Sequence, residues 1–316
     1  MKRKAIFLLL LILGTAFWGI SFPVTKLSMG THPSATFLFF RFLLATIVLT
    51  IIFWKQVKTV NLSSLKIGAL LAIPLFAGIQ LQTLGIKHSP ASQCAFIAGL
   101  TVIIVPLTKL IVYRKAASPK IWFASLVALT GLFIISAKEH FTIAIGDLYT
   151  ITGAFAFAVY LILVEKYAAK YNMLKTMVPM LVTCTLLTAC LLPFTSDQTN
   201  WLPTDHNFWI GIGFCALFST AYMYTVSNVS QRYISAERIA IIYLLEPVFG
   251  AIAAYFILGE MLTARVLVGG TLILTAMLIC EIDFRKIVLQ WKMKNRPVLA
   301  KPVEVYSDKK SNDGKY

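Results

Sequence analysis

Residues 236–260 read A-E-R-I-A-I-I-Y-L-L-E-P-V-F-G-A-I-A-A-Y-F-I-L-G-E. The run is long enough to cross a bilayer, which takes roughly 20 apolar residues, yet it carries a Glu-Pro step at its centre. Glu246 is therefore a carboxyl at membrane depth. An ionisable side chain there costs a few kcal/mol and by default faces protein or a water-filled cavity. Pro247 adds a second cost, because its ring removes one intrahelical hydrogen bond and frees a carbonyl a turn earlier. A membrane tolerates that only where neighbours or cavity water take over the bond. Both features predict a polar centre, with the remaining spans forming a shell around this helix and a counterpart in the other half.

The whole chain agrees with that setting. Its 316 residues are 58% hydrophobic and only 13% charged, with a mean hydropathy of +0.79, whereas a soluble domain has about 25% charged residues. Segments of span length fall at 5–27, 34–53, 65–86, 90–113, 120–137, 147–167, 174–194, 207–228, 236–258 and 262–281. The fold class expected is thus an all-α integral membrane protein of ten transmembrane helices, with connections too short for a soluble domain.

A net charge of +16 would suit a nucleic-acid binder, but the distribution of charge gives a different account. With the N-terminus inside and ten spans, 23 of the 29 Lys and Arg lie on the cytosolic side. Only Lys26, Lys87, Lys138 and Arg265 lie outside, while Arg41 and Lys109 fall within spans. This is the positive-inside asymmetry. It places both termini in the cytosol and accounts for the charge without nucleic acid. The 285–316 tail, with nine basic and three acidic residues, reads as a basic cytosolic extension touching anionic headgroups. Residues 1–18 look like a signal peptide, yet no small-residue cleavage pattern follows, so they are read as an uncleaved first span. The five cysteines sit in apolar spans as small packing residues, and the four histidines fall in outer connections without metal-ligand spacing.

Polar side chains inside the spans are the candidate site. Thr15, Trp18, Ser21 and Thr25 share one face of the first span. Arg41 lies seven residues from the outer end of the second span; it is either a structural ion pair, a snorkelling anchor or a solute contact. Lys109, four residues from the cytosolic end at Tyr113, is explained by snorkelling. Gln80, Gln82, Thr83 and Gln93 cluster in the outer halves of the third and fourth spans, where amides either pair across helices or recognise polar groups of a ligand. In the second half Tyr160, Tyr222, Tyr224 and Tyr243 either pack, form an interfacial belt or stack on a ligand.

A faint internal repeat organises these residues. Ser-Pro-Ala-Ser-Gln at 89–93 and Ile-Ser-Ala-Glu-Arg at 234–238 each open a span with an interior proline, Pro106 in one and Pro247 in the other. G-T-A-F-W at 14–18 resembles G-A-F-A-F at 153–157. Five helices per unit invert the second copy, so the halves are read as residues 5–137 and 147–281. Paired interrupted helices in such repeats point to a midplane site.

Several strings in order resemble the EamA-like branch of the drug/metabolite transporter superfamily. They are G-T-A-F-W-G-I-S-F-P at 14–23, R-F-L-L-A at 41–45, L-Q-T-L-G-I at 81–86, A-F-I-A-G-L-T-V-I-I-V-P-L at 95–107 and Y-L-L-E-P-V-F-G-A-I-A-A-Y-F-I-L-G-E at 243–260. One departure is Y-R-K at 113–115, which stands where the repeat would place Gly259-Glu260. The resemblance implies two inverted five-helix EamA-like repeats in a bacterial inner-membrane carrier, usually an exporter of amino acids or related metabolites, with a cavity between the halves.

The expected site then comprises Trp18, Gln80, Gln82, Tyr160, Tyr222 and Tyr243, with Arg41 and Glu246 as the charges and Pro106 and Pro247 as conformational breaks. Expected partners are a small-molecule substrate, the lipid bilayer, and protons or a counter-transported solute. The carrier would be a monomer or homodimer and needs no cofactor, metal or nucleic acid. With no ATP-binding motif, it would be driven by solute exchange or an ion gradient. Rival readings on the same scaffold are a flippase of lipid-linked sugars or other amphipathic lipids and an importer or exchanger of nucleotide-like metabolites. A membrane-embedded hydrolase or acyltransferase would need a nucleophile and base, or a metal cluster, at one depth, and the spans show no such set, so an enzyme is not expected.

Overall fold

The computed structural model describes residues 2–89, 91–136, 144–195, 202–258 and 264–281, and every regular element among them is helical. In chain order these are α1 (Lys2–Met29), α2 (Ser34–Ile52), the short α3 (Trp54–Val57), α4 (Leu62–His88), α5 (Ala91–Gly99), α6 (Thr101–Tyr113) and α7 (Pro119–Ser136). There follow α8 (Ile145–Ala168), α9 (Met173–Thr195), α10 (His206–Phe214), a π-helical stretch (Cys215–Tyr222), α11 (Met223–Ser230), α12 (Ala236–Tyr243), α13 (Glu246–Leu258) and α14 (Ala264–Glu281). The basic tail, His140, residues 259–260 and the side chain of Gln93 lie outside the described residues.

Among the described residues seven helices are long and apolar enough to cross a membrane: Lys4–Met29, Ser34–Ile52, Leu62–His88, Cys94–Tyr113, Ile145–Ala168, Met173–Phe194 and His206–Ser230. Pro119–Ile135 and Ala264–Cys280 are apolar but shorter, and residues 236–258 form two half-helices. Leu9, Ile51, Phe123, Phe256 and Leu267 turn their side chains outward, each more than half exposed. In water such a surface would aggregate; in a bilayer it meets hydrocarbon as apolar as itself.

Because lipid removes the hydrophobic drive between helices, their association depends on close packing through small residues. Glycines set the main crossings. Gly19 of α1 meets Gly250 of α13, Gly78 and Gly85 of α4 meet Gly153 and Gly146 of α8, and Gly131 of α7 meets Gly269 of α14. A Cβ on Gly19 would lie 2.5 Å from the Glu246 carbonyl oxygen and 2.7 Å from the Gly250 nitrogen. Around these crossings α4 packs on α8 and α9, α2 on α9, and α1 on the α10–α11 rod as well as on α13.

Two helices are broken, and in matching places. α5 and α6 start at 91 and 101 and end at Tyr113; α12, α13 and its end at Leu258 follow at the same positions displaced by 145 residues. The turn at Leu100 is closed by its N–H on the Ile97 carbonyl at 3.0 Å, and that at Leu244–Leu245 by bonds of 3.2 and 3.0 Å to Ile241 and Ile242. These three-residue bonds are local 3₁₀ tightening.

The prolines stand elsewhere than the interruption expected of them. Pro247 is the second residue of α13, in a first turn whose N–H groups have no intrahelical partner in any case. It therefore starts a helix and interrupts none. Pro106 lies inside α6, which continues through it to Tyr113. The Val102 carbonyl, which residue 106 would ordinarily bond, instead accepts the Ser125 hydroxyl at 3.5 Å. Displacing Pro247 by the same 145 residues gives Val102, so the breaks correspond and the prolines do not.

The crossing geometry sets a prediction. Gly19→Ala drives a methyl group into the α13 backbone, and overpacking of this kind costs about 1–3 kcal/mol. Gly213→Ala, where a Cβ meets nothing within 4 Å, should be neutral. Melting of the two purified variants should therefore differ, with only Gly19→Ala falling below wild type.

Candidate functional site

A cavity of about 70 Å³, room for several waters, opens where α1, α2, α4, α5, α8 and α11 face the α12–α13 break. Each helix contributes one face. On α1 these are Trp18, Ser21, Phe22 and Thr25; on α4, Gly78, Ile79, Gln82, Thr83 and Ile86; on α8, Thr150, Gly153, Ala154 and Phe157. Spacings of three and four put each set on one side of its helix. Thr25, Ile86, Thr150 and Ala95 all lie near one end of the bundle, so the cavity runs from the helix breaks toward that end.

Three aromatic rings form one wall. Trp18 lies 4.8 Å from Tyr243 and 5.6 Å from Tyr224, centroid to centroid, both edge-on. Two of their polar ends are engaged: the Trp18 indole N–H donates to the Ser219 carbonyl at 2.7 Å, and the Tyr243 hydroxyl shares a 2.6 Å bond with Ser227. The Tyr224 hydroxyl has no such partner among the described residues, and Tyr224 also lines the cavity.

The π-helical stretch holds two of these groups. Thr220 donates its hydroxyl to the Cys215 carbonyl five residues back at 2.9 Å, and accepts the Arg41 Nε–H at 2.7 Å. Wide turns of this type leave backbone acceptors free and are frequent at functional sites; here Ser219 and Thr220 use them to fix Trp18 and Arg41. Of the readings open for Arg41, the geometry sets aside two. The side chain is 7% exposed, lines the cavity, and has no carboxylate partner among the described residues, so it neither snorkels nor forms a structural ion pair.

Glu246 lines the same cavity, and no hydrogen bond or ion pair to its carboxylate occurs among the described residues. It is the first residue of α13, so its charge sits at the positive end of that helix, a favourable placement worth about 0.3–1 kcal/mol. Thr101, its counterpart 145 residues earlier, also begins a half-helix and also lines the cavity.

The other expected site residues divide sharply. Gln82 and Pro247 join Trp18, Arg41, Tyr243 and Glu246 at the cavity wall. Gln80 does not: it is buried toward α2, donating to Ser34 at 3.1 Å, with its carbonyl oxygen unpartnered. Tyr160 is fully buried below the cavity and donates to Asn228 at 2.6 Å. Tyr222 donates to the Leu10 carbonyl at 3.1 Å, and Pro106 packs inside the bundle. Thr83 and Tyr224, candidates in the sequence that were not carried into the expected site, also line the wall, as do Thr150 and Phe157, which the sequence had not singled out. The i, i+3, i+4, i+7 pattern from Thr150 to Phe157 was the available signal.

Lys109 requires a correction. It does not reach outward as a snorkelling anchor, for its ammonium lies 2.8 Å from Glu165 and 2.7 Å from Glu237, with 14% of the side chain exposed. Those partners lie in α8 and α12, far away in the chain, which is why the end-of-span position suggested solvent instead.

A multi-pass helical protein with an arginine and a glutamate in one cavity, neither paired among the described residues, beside two broken helices has the build of a membrane carrier. The model of the EamA-like transporter family matches the chain twice, over residues 5–137 and 144–280, and the chain belongs to that family. An uncharacterized transporter of Archaeoglobus fulgidus is 25% identical over 272 residues, covering 86% of this chain and 84% of the relative. An S-adenosylmethionine uptake transporter of Rickettsia felis is 28% identical over 251 residues, covering 76% of this chain and 80% of the relative. A solved structure with 13% sequence identity superposes with a TM-score of 0.74 over 90% of this chain and 99% of its own, a likeness of fold alone.

The split between the two glutamines is testable. Gln82→Leu should weaken binding of a transported solute with little change in melting temperature. Gln80→Leu should alter stability, since it removes a buried amide bonded to α2, and leave affinity near wild type. Titration of ligand-induced thermal shift on both variants would separate the two effects.

Proposed function

We propose that this transporter is secondary-active and moves small organic metabolites, amino acids or related compounds, outward across the bacterial inner membrane by alternating access around the cavity. The observation that carries the reading is the pair Arg41 and Glu246, both at the cavity wall and both without a counter-charge among the described residues. Ionisable groups at membrane depth mark solute or proton pathways. A solute carrying a carboxylate and an ammonium would supply both missing partners, and a proton would serve for Glu246 alone.

Ten spans follow if the shorter helices 119–136 and 264–281 and the broken 236–258 segment also cross. Two supports favour an inverted repeat with units at 5–137 and 147–281. The family model matches twice. The helix pairing is also preserved when each element is exchanged for its counterpart: α1 on α13 answers α8 on α6, α4 on α8 answers the α10–α11 rod on α1, while α2 with α9 and α7 with α14 are self-paired. The charge asymmetry favours cytosolic termini. A monomer or a homodimer would serve this mechanism equally.

A second reading, uptake or exchange of a nucleotide-like metabolite, is favoured by the aromatic wall of Trp18, Tyr224 and Tyr243 and by the name of the Rickettsia relative. Aromatic faces attract both nucleobases and onium groups.

The test begins with metabolite profiles inside and outside cells with and without the protein, followed by exchange in proteoliposomes. Truncating one side of a buried charged contact costs about 2–5 kcal/mol, so Glu246→Gln and Arg41→Met should each slow exchange at least about thirtyfold. Wild-type exchange by a well-folded Glu246→Gln protein would remove the carboxylate from the mechanism.

A further inference from the structure

At the end of the bundle away from the cavity-lining Thr25, Ile86, Ala95 and Thr150, three charged side chains join the two halves. Lys109 lies four residues before the end of α6, Glu165 three residues before the end of α8, and Glu237 in the first turn of α12. One ammonium bridges both carboxylates, at 2.8 and 2.7 Å. Close by, the Lys166 ammonium of α8 lies over the Tyr113 ring of α6, 5.9 Å from its centroid. We propose that the Lys109–Glu165–Glu237 cluster is the latch that closes one end of the carrier while the cavity is open to the other.

Three observations separate a latch from a static brace. The first is place: the cavity lining reaches one turn past the α12–α13 break, to Ala240, and the cluster stands at the helix ends beyond it, tying a half-helix of the first half, α6, to α8 and α12 of the second. The second is the kind of contact. Helices that stay together here cross through glycine, as α4 does with α8 at Gly78, Gly85, Gly146 and Gly153, with backbone against backbone. Among the described residues no glycine crossing joins the α6, α8 and α12 ends, which are tied by the Lys109 bridge and by the Ala236 N–H on the Glu165 carboxylate at 3.3 Å. The third is energetic. Breaking a fully buried pair leaves charges without solvent and is strongly unfavourable. In this cluster the Lys109 and Glu165 side chains are 14% and 25% exposed, so water can take their charges when they separate. Glu237 is only 6% exposed and its second oxygen has no partner, so the closed latch is held without being fully satisfied.

The inference rests on the alternating-access reading and gives it a mechanical part. With the positive-inside orientation, the latch is the cytosolic gate, and the described conformation is open to the outside. Solute passage requires the ammonium to leave both carboxylates, after which α6 and α12 swing apart about the Leu100 and Leu244–Leu245 turns. Interfaces of this kind have two discrete arrangements, and a perturbation shifts the population between them.

The experiment uses the full chain with its native cysteines replaced and one cysteine placed at Thr101 on the cavity wall. A membrane-impermeant maleimide is applied from the outer face in right-side-out vesicles and from the cytosolic face in inverted vesicles. With Lys109 present, labelling should come mainly from outside. Lys109→Met should raise the cytosolic to outer labelling ratio by about tenfold, equivalent to ~1.4 kcal/mol of latch energy, and Lys109→Arg should retain the wild-type ratio. Should Lys109→Met fail to fold, Glu165→Gln with Glu237→Gln leaves one hydratable ammonium and should give the same shift. An unchanged ratio in a folded variant of either kind overturns the latch. Because labelling needs no solute, that outcome is distinct from failure of the transport reading, which would appear as no exchange by the wild-type protein.

Discussion

An arginine and a glutamate share one cavity without a counter-charge among the described residues, and the surrounding helices are arranged so as to hold them there. Each is costly at membrane depth, and nothing among the described side chains neutralises either one. The fold limits the cost locally instead. Arg41 is held by the Thr220 hydroxyl on a π-helical stretch, and Glu246 starts a half-helix whose N-terminus favours a negative charge. Both devices depend on departures from the regular α-helix. The chain can sustain them because glycine crossings at Gly19–Gly250, Gly78–Gly153 and Gly131–Gly269 pin the surrounding helices backbone to backbone.

Charge is treated differently at the two ends of the same bundle. In the cavity, neither Arg41 nor Glu246 has a counter-charge in hydrogen-bond reach among the described residues. At the far end, Lys109 is claimed twice over, by Glu165 and by Glu237. The proposed alternating-access cycle would use both: unsatisfied charge where a solute would bind, and satisfied but partly hydrated charge where the halves would close and part. The matching breaks in α5–α6 and α12–α13 lie between these two regions.

Much of this was legible in the sequence, for physical reasons that differ from residue to residue. Span-length apolar runs and a carboxyl inside one of them follow from the cost of polar groups in hydrocarbon, so the helical membrane class and Glu246 needed no structure. The Trp18, Ser21, Thr25 stripe followed from helical period, and these three do line the cavity. The same period should have separated Gln80 from Gln82, since residues two apart lie about 200° around a helix at 3.6 residues per turn and cannot share a wall. Other features were not local. Lys109 finds its partners in two remote helices, and a position near the end of a span looks the same whether the ammonium reaches water or a carboxylate. The π-helical stretch carries no composition signal, and the prolines misled because a proline near a break can begin the next helix as readily as disrupt one.

The central claim, that Glu246 is held without a structural partner for the sake of what it binds, is most directly tested by the thermal stability of Glu246→Gln in the absence of any added solute. Removing an unpaired charge while keeping its volume should leave the melting temperature at or above that of wild type. A melting temperature several degrees below wild type would contradict the account, because it would mean that the carboxylate is one side of a structural ion pair whose other side has been left unpaired.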